Sequence, residues 1–259
     1  MSGWSINLFR IRGIQLTLHL SFLLLPAYVA YVGYEEDGPA GLVWSVTLLL
    51  AFFTCVVLHE LGHSFAARRF GVGVRRILLL PIGGMAEFDT IPRQPAREFW
   101  ITVAGPAVNF AIVAALLPFV SFSKAWPPSA YPRSAADFAQ YIVFANLVMG
   151  VFNLVPAFPM DGGRILRALL ATRMPYLRAT FWAATTGKVV AIAGIVAGIW
   201  IQWYFLAALF AFILFVGEAE YRAVLRRETE EARWRQLLAE YEAARDHIPP
   251  SDEPPLLSK

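Results

Sequence analysis

The chain has 259 residues, of which 58% are hydrophobic and 16% are charged, and its formal net charge is +3. Soluble domains contain roughly 45–50% apolar residues, so this composition favours a membrane protein. No nucleic-acid-binding module is present, and the Lys and Arg positions follow membrane topology, which excludes a nucleic-acid partner. The single cysteine, Cys55, cannot form an internal disulfide and is interpreted as a small core residue.

Apolar runs of about 20 residues predict the membrane-spanning helices. They lie near residues 15–34, 41–66, 99–120, 137–155, 180–200 and 202–217. The fourth run is short and ends at Pro156 and Pro159, which predicts a helix that breaks inside the membrane. The fold class is therefore an all-α polytopic membrane protein with about six transmembrane helices.

Positive charge is concentrated in segments that lie on one face of the membrane if the six spans alternate. The arginines concerned are Arg10, Arg12, Arg68, Arg69, Arg75, Arg76, Arg93, Arg97, Arg164, Arg167, Arg173 and Arg178. The other face receives the acidic run 35–37 and a Pro-rich loop at 121–136. The positive-inside rule then places both termini in the cytosol, and we expect a prokaryotic inner membrane.

Residues 71–97 have the pattern of short strands rather than of a span. Apolar pieces separated by glycine and proline predict a small membrane-associated β hairpin or sheet after the second helix. The strand ILLLPI would have an exposed edge able to pair with an extended peptide.

Three regions are expected along the chain. Residues 1–217 form a six-span membrane core, 218–247 a charged cytosolic helix, and 248–259 a disordered tail. A solvated helix is the favoured interpretation of 218–247, and a homodimer formed through this helix is the alternative.

The sequence HELGH at residues 59–63 carries the clearest chemistry. On a helix His59 and His63 share a face, so two imidazoles can bind one Zn²⁺ while Glu60 acts on a bound water. The motif directly follows an apolar run, and ionisable residues within a membrane span are costly and usually functional. Catalysis or metal binding is therefore favoured over a structural polar cluster.

A catalytic zinc ion takes three protein ligands and an open position. The candidates for the third ligand are His19, Glu87, Asp89 and Asp161. Asp161 lies in NLVPAFPMDGGRILRALL, where prolines break the fourth span and two glycines allow a tight turn. The alternative is that Asp161 caps the helix that follows.

Three ordered motifs, HELGH, GPAVN and NLVPAFPMDGGRILRALL, resemble the site-2 protease family of intramembrane zinc metalloproteases, in its bacterial, archaeal and plastid branch. The resemblance covers residues 9–217. It implies one zinc ion bound by His59, His63 and Asp161, with Glu60 as the catalytic base. Relatives often carry CBS or PDZ domains, and we expect neither here because few residues follow the last span.

The resemblance also implies that Asn109 lies near the active site. Asn109, in GPAVN, is expected to hold the substrate backbone or the developing oxyanion. A helix–helix hydrogen bond is the alternative. Asn153 has the same two interpretations.

The predicted function is hydrolysis of a peptide bond within or next to a transmembrane segment, as in regulated intramembrane proteolysis. Substrates of the expected kind are a membrane-anchored transcription factor, an anti-sigma factor or a remnant signal peptide. A metal transporter would need a polar path to the other face, and an inactive scaffold would normally lack one of the four site residues.

Overall fold

The computed structural model describes residues 4–89, 93–120, 131–132 and 134–245, and these are mostly helical. The elements in chain order are β1 (Ser5–Ile11), β2 (Ile14–His19), α1 (Leu24–Arg69), β3 (Val74–Leu80), β4 (Gly83–Phe88), α2 (Pro95–Leu116), α3 (Ala135–Asn153), α4 (Asp161–Ala171), α5 (Tyr176–Trp200) and α6 (Tyr204–Arg245). Short 3-10 turns precede α1 and follow α2.

Within these residues, five helices are long and apolar enough to cross a membrane. The first contains two of the predicted spans, because α1 has two arms that meet at the non-helical residues Asp37 and Gly38. The φ angle of Gly38 is +58°, a conformation that favours glycine. The arms fold back on each other, since a Cβ on Gly33 would lie 2.6 Å from the carbonyl oxygen of Gly41. The all-α fold class is confirmed, and each predicted span corresponds to one helical arm.

The N-terminal residues differ from the prediction. Residues 15–19, expected to begin the first span, lie in β2, which joins the predicted hairpin in a four-stranded sheet of order β1-β2-β3-β4. Strand β2 pairs in parallel with β3, with Leu16 opposite Ile77. The residues of β2 alternate between apolar and polar, with Ile14, Leu16 and Thr17 buried, and this short alternation is lost when hydropathy is averaged over about 20 residues.

The sheet packs on the second arm of α1. Buried side chains from both sides, including Leu16, Ile77 and Leu79 from the sheet and Val56 and Leu61 from α1, form one apolar cluster. Strand β4 is an edge strand of this sheet. The packing brings this edge to the part of α1 that contains HELGH.

Helix α2 is central, since it contacts α1, α3 and α4. The predicted break is present: α3 ends at Asn153, and α4 begins at Asp161 after a turn in which Ala157, Phe158 and Met160 are buried. A Cβ on Gly163 would lie 2.7 Å from the backbone nitrogen of Phe158, so this turn requires a residue without a side chain. The turn brings the first residue of α4 against α1 and α2.

Candidate active site

Two histidines and one aspartate form a buried cluster between α1 and α4. His59, His63 and Asp161 each offer one ligand atom, and these atoms lie within 4.8 Å of one another. The Nε2 atoms of the two histidines are 3.1 Å apart, and each lies 3.2 Å from Oδ2 of Asp161. The side chains are about nine-tenths buried or more, so bulk water does not screen this arrangement.

The outer ring nitrogens fix the tautomers of both histidines. Nδ1 of His63 lies 2.8 Å from the carbonyl oxygen of Ile101, and Nδ1 of His59 lies 2.6 Å from Oδ1 of Asn109. Both oxygens only accept hydrogen bonds, so each Nδ1 carries the proton and donates it. Each Nε2 therefore has a free lone pair, and the two lone pairs face the same small space.

Asp161 adds a third acceptor to that space. Its Oδ2 is buried and receives no hydrogen bond from the residues that the structure describes, although both Nε2 atoms are nearby. Three electron pairs without a proton repel one another, and a bound cation removes that repulsion. Two imidazoles and one carboxylate are a ligand set of catalytic zinc, so these residues fit that ion.

Glu60 lies beside the cluster and contacts β4. Its Oε2 accepts a hydrogen bond from the backbone N–H of Ala86 at 3.2 Å. The strand comes this close because residue 84 is glycine: a Cβ there would lie 2.7 Å from Cγ of Glu60 and 3.1 Å from Cγ1 of Val56. The carboxylate is thus held against the edge strand, next to the His59–His63–Asp161 cluster.

One face of α2 forms the wall of the site. Ile101, Gly105 and Asn109 are spaced four residues apart, so they lie on the same helix face. A Cβ on Gly105 would overlap Nε2 of His63 and lie 2.8 Å from Nε2 of His59. Neither Gly105 nor the Ile101 carbonyl was predicted from the sequence. The spacing of four residues from Ile101 to Gly105 and from Gly105 to Asn109 is a signal that could have indicated them.

The alternatives for the third ligand lie elsewhere. Asp161 is the first residue of α4, where the N-cap is Met160, so the capping alternative is not what the structure has. The other candidates bind side chains outside the cluster: His19 contacts Ser21, Glu87 pairs with Arg76, and Asp89 pairs with Arg75.

The two asparagines have different environments. Asn109 is fully buried, and both polar atoms of its amide have partners, namely His59 and Asn146. Its amide is therefore directed at His59 and Asn146. Asn153 is half-buried at the end of α3 and, within the described part of the chain, does not belong to the hydrogen-bonded group around His59.

A second buried cluster was not anticipated from the sequence. Arg167, interpreted above as a topology charge, is 1% exposed and donates from Nε to Oε1 of Glu98 at 2.8 Å. Its Nη1 lies 3.5 Å from Glu220, and its guanidinium stacks 5.0 Å from the ring centres of Phe158 and Tyr176. This ion pair joins α2 to α4. On α2, Glu98 precedes Ile101 by three residues, and on α4, Arg167 follows Asp161 by six residues.

Comparison with known proteins identifies the family. The chain matches peptidase family M50 over residues 47–128 and 125–194. It is 40% identical to a zinc metalloprotease of Methanocaldococcus jannaschii over 86% of this chain and 62% of that protein. It is 28% identical to stage IV sporulation protein FB of Bacillus subtilis over 65% of this chain and 54% of that protein. The chain thus spans less than two thirds of the length of these relatives.

A solved structure, the site-2 protease from Methanocaldococcus jannaschii, is similar with a TM-score of 0.61 and 39% identity, over 84% of this chain and 95% of that one. The match to the peptidase family extends through HELGH, GPAVN and the region of Asp161. The chain therefore belongs to peptidase family M50, the site-2 protease family.

Proposed function

We propose that this chain is a zinc-dependent peptidase that hydrolyses a peptide bond within or next to a transmembrane segment of a membrane-anchored protein. The observation that carries the proposal is the convergence of one ligand atom each from His59, His63 and Asp161 beside Glu60. Zinc bound there would lower the pKa of a water molecule and polarise the carbonyl of the scissile bond.

The chain's own groups would then handle the protons. Glu60 takes a proton from the attacking water as the new C–O bond forms, and it passes a proton to the leaving nitrogen as the C–N bond breaks. The backbone N–H of Ala86 keeps this carboxylate in place. The Nδ1 hydrogen bonds to Asn109 and to Ile101 hold both imidazoles in the form that binds metal.

The substrate has to unwind before it can react, because a helix engages its carbonyls in its own hydrogen bonds. Strand β4 is an edge strand, and its residue Ala86 already contacts Glu60. An extended segment paired with this edge would lie beside the catalytic group. Substrates of this kind are a membrane-anchored transcription factor, an anti-sigma factor or a remnant signal peptide.

The chain is an integral membrane protein, as its five apolar helices and its family indicate. The proposed orientation has both termini in the cytosol of a prokaryotic cell, with the sheet on that side. The proposed catalytic core is residues 1–217. The mostly exposed part of α6 from Glu218 onwards is the proposed cytosolic helix, through which a homodimer could form.

The test compares wild type, Glu60→Gln and His59→Ala for metal content and for cleavage of a single-span reporter protein in detergent. Wild type should bind about one zinc per chain and cleave the reporter. The Glu60→Gln variant should keep zinc and lose cleavage, and His59→Ala should lose both. Cleavage at the wild-type rate by Glu60→Gln would rule out Glu60 as the base, and metal-free wild type that still cleaves would rule out the metallopeptidase.

A further inference from the structure

A row of buried hydrogen bonds leads from the backbone of α3 to His59. The amide nitrogen of Asn146 donates to the carbonyl oxygen of Ile142 at 2.8 Å. The amide oxygen of Asn146 accepts from Nδ2 of Asn109 at 2.9 Å, and Oδ1 of Asn109 accepts from Nδ1 of His59 at 2.6 Å. Asn109 and Asn146 are fully buried, so water cannot replace any of these partners.

The direction of this row is set at the Ile142 end. A backbone carbonyl can only accept, so the nitrogen side of the Asn146 amide must face it. The oxygen side then faces Asn109, which requires the Asn109 nitrogen there and directs the Asn109 oxygen to His59. Consequently Nδ1 of His59 has to carry the proton, and Nε2 keeps the lone pair that faces the metal site.

We propose that Asn146 is a positioning residue that selects the metal-binding tautomer of His59 through Asn109. The proposal rests on the proposed function, because it assigns Asn146 a role toward the bound metal. An isolated Asn109 could rotate by 180° about its last bond and offer an N–H to His59, since the two ends of an amide have nearly the same shape. The hydrogen bond from Asn109 to Asn146 prevents that rotation.

The second histidine offers an internal comparison. Nδ1 of His63 donates to the backbone carbonyl of Ile101, which cannot rotate within α2. The tautomer of His63 therefore needs no further support, and it should stay the same when Asn146 is changed. A general disturbance of the site would affect both histidines.

Cys55 does not determine the direction of the row. Its Sγ lies 3.2 Å from Nδ2 of Asn146, and a thiol can either donate or accept a weak hydrogen bond. A Cys55→Ala variant removes this contact while the carbonyl of Ile142 stays in place. It is therefore the control for changes in packing close to Asn146.

The first measurement is metal affinity, by competition with a chelator for Co²⁺ or Zn²⁺, in wild type, Cys55→Ala and the nearly isosteric pair Asn146→Thr and Asn146→Val. The threonine hydroxyl can donate to the carbonyl four residues earlier, as Thr47 and Thr54 do in α1 at 2.7 and 2.8 Å, and can accept from Asn109. We expect Asn146→Val to bind metal about 10–100-fold more weakly, with a smaller loss in Asn146→Thr and little change in Cys55→Ala. Equal affinities of the Thr and Val variants would overturn the proposal.

The second measurement is the tautomer of each histidine, by ¹⁵N NMR of metal-free protein labelled at its four histidines. In wild type both His59 and His63 should be protonated at Nδ1, and in Asn146→Val only His59 should lose this preference. Protonation of His59 at Nε2 in wild type would overturn the proposal without need of any variant. Wild type that binds no metal but has the expected tautomers would contradict the proposed function alone.

Discussion

Helix α2 contacts two buried polar clusters that differ in how their charges are balanced. In the cluster of His59, His63 and Asp161, the two Nε2 atoms and Oδ2 of Asp161 lie within about 3.2 Å of one another. In the second cluster, Arg167 and Glu98 carry opposite charges and bind each other directly. The first cluster could hold a cation from outside the chain, whereas the second supplies its own counter-charge.

This difference separates functional from structural buried polarity. In both clusters the exposed fraction of the side chains is far below that usual for ionisable residues, so burial alone does not distinguish the clusters. What distinguishes them is whether opposite charges are paired, as they are between Arg167 and Glu98. We therefore expect substitutions in the first cluster to change metal binding and activity, and substitutions in the second to change the stability of the fold.

The largest effect is expected for Asp161→Asn, which keeps the shape of the side chain and removes its charge. Metal affinity should fall at least about 100-fold, which is more than expected for loss of a residue that only hydrogen-bonds a ligand, and cleavage should disappear. The unfolding free energy of the metal-free protein should change little or increase, because the repulsion among the ligands is relieved. Chelator competition and unfolding in mixed micelles measure the two quantities.

The control for that variant is Asp89→Asn, because Asp89 pairs with Arg75 at an exposed position outside the cluster. It should bind metal like wild type. If Asp161→Asn kept metal affinity within a few-fold of wild type, the third ligand would have to be another residue.

The next largest effect should come from Arg167→Met, which leaves Glu98 buried without its partner. Breaking a buried pair costs about 3–5 kcal/mol of unfolding free energy. The double variant Arg167→Met with Glu98→Gln should recover a large part of that loss, since residue 98 then carries no buried unpaired charge. Unfolding in mixed micelles tests both, and a single variant as stable as the double variant would argue against the ion pair.

A pair of glycine substitutions separates metal binding from the action of Glu60. In Gly105→Ala the new methyl overlaps the Nε2 atoms of the histidines, so we expect weaker metal binding. In Gly84→Ala the methyl meets Glu60, so metal binding should persist while kcat falls, by about 100-fold for a displacement of about 1 Å. Equal metal affinities of the two variants would contradict this division of the site.

The smallest effect is expected at an exposed pair in the sheet. The hydrogen bond from Arg76 holds the pKa of Glu87 below its ordinary value. The pair therefore stabilises the folded state above the ordinary glutamate pKa, and this contribution is lost as pH falls through the lowered pKa of the folded state. Both side chains are about one third exposed, so Glu87→Gln should cost at most about 1 kcal/mol near neutral pH and less in acid.

The sequence allowed much of the fold to be predicted, and its errors have specific causes. Long apolar runs identify the helices, and Pro156 indicates where the fourth one breaks. Residues 15–19 were assigned to the first apolar run, but residues 14–19 alternate between apolar and polar side chains, and they form a strand because β3 offers a parallel partner and α1 a surface to cover. Arg167 was counted with the arginines that mark the cytosolic face, because no local pattern reveals that Glu98 lies opposite it.

By itself the sequence determined that His59 and His63 share a helix face with Glu60 beside them, because spacing along an α-helix follows from local backbone geometry. Only the tertiary structure decided that Asp161 completes the cluster, that Ile101 and Asn109 set the histidine tautomers, and that β4 reaches Glu60. These contacts join residues 26 or more positions apart. Such contacts depend on which elements pack together, and that depends on burial and hydrogen bonding across the whole chain rather than on any one segment.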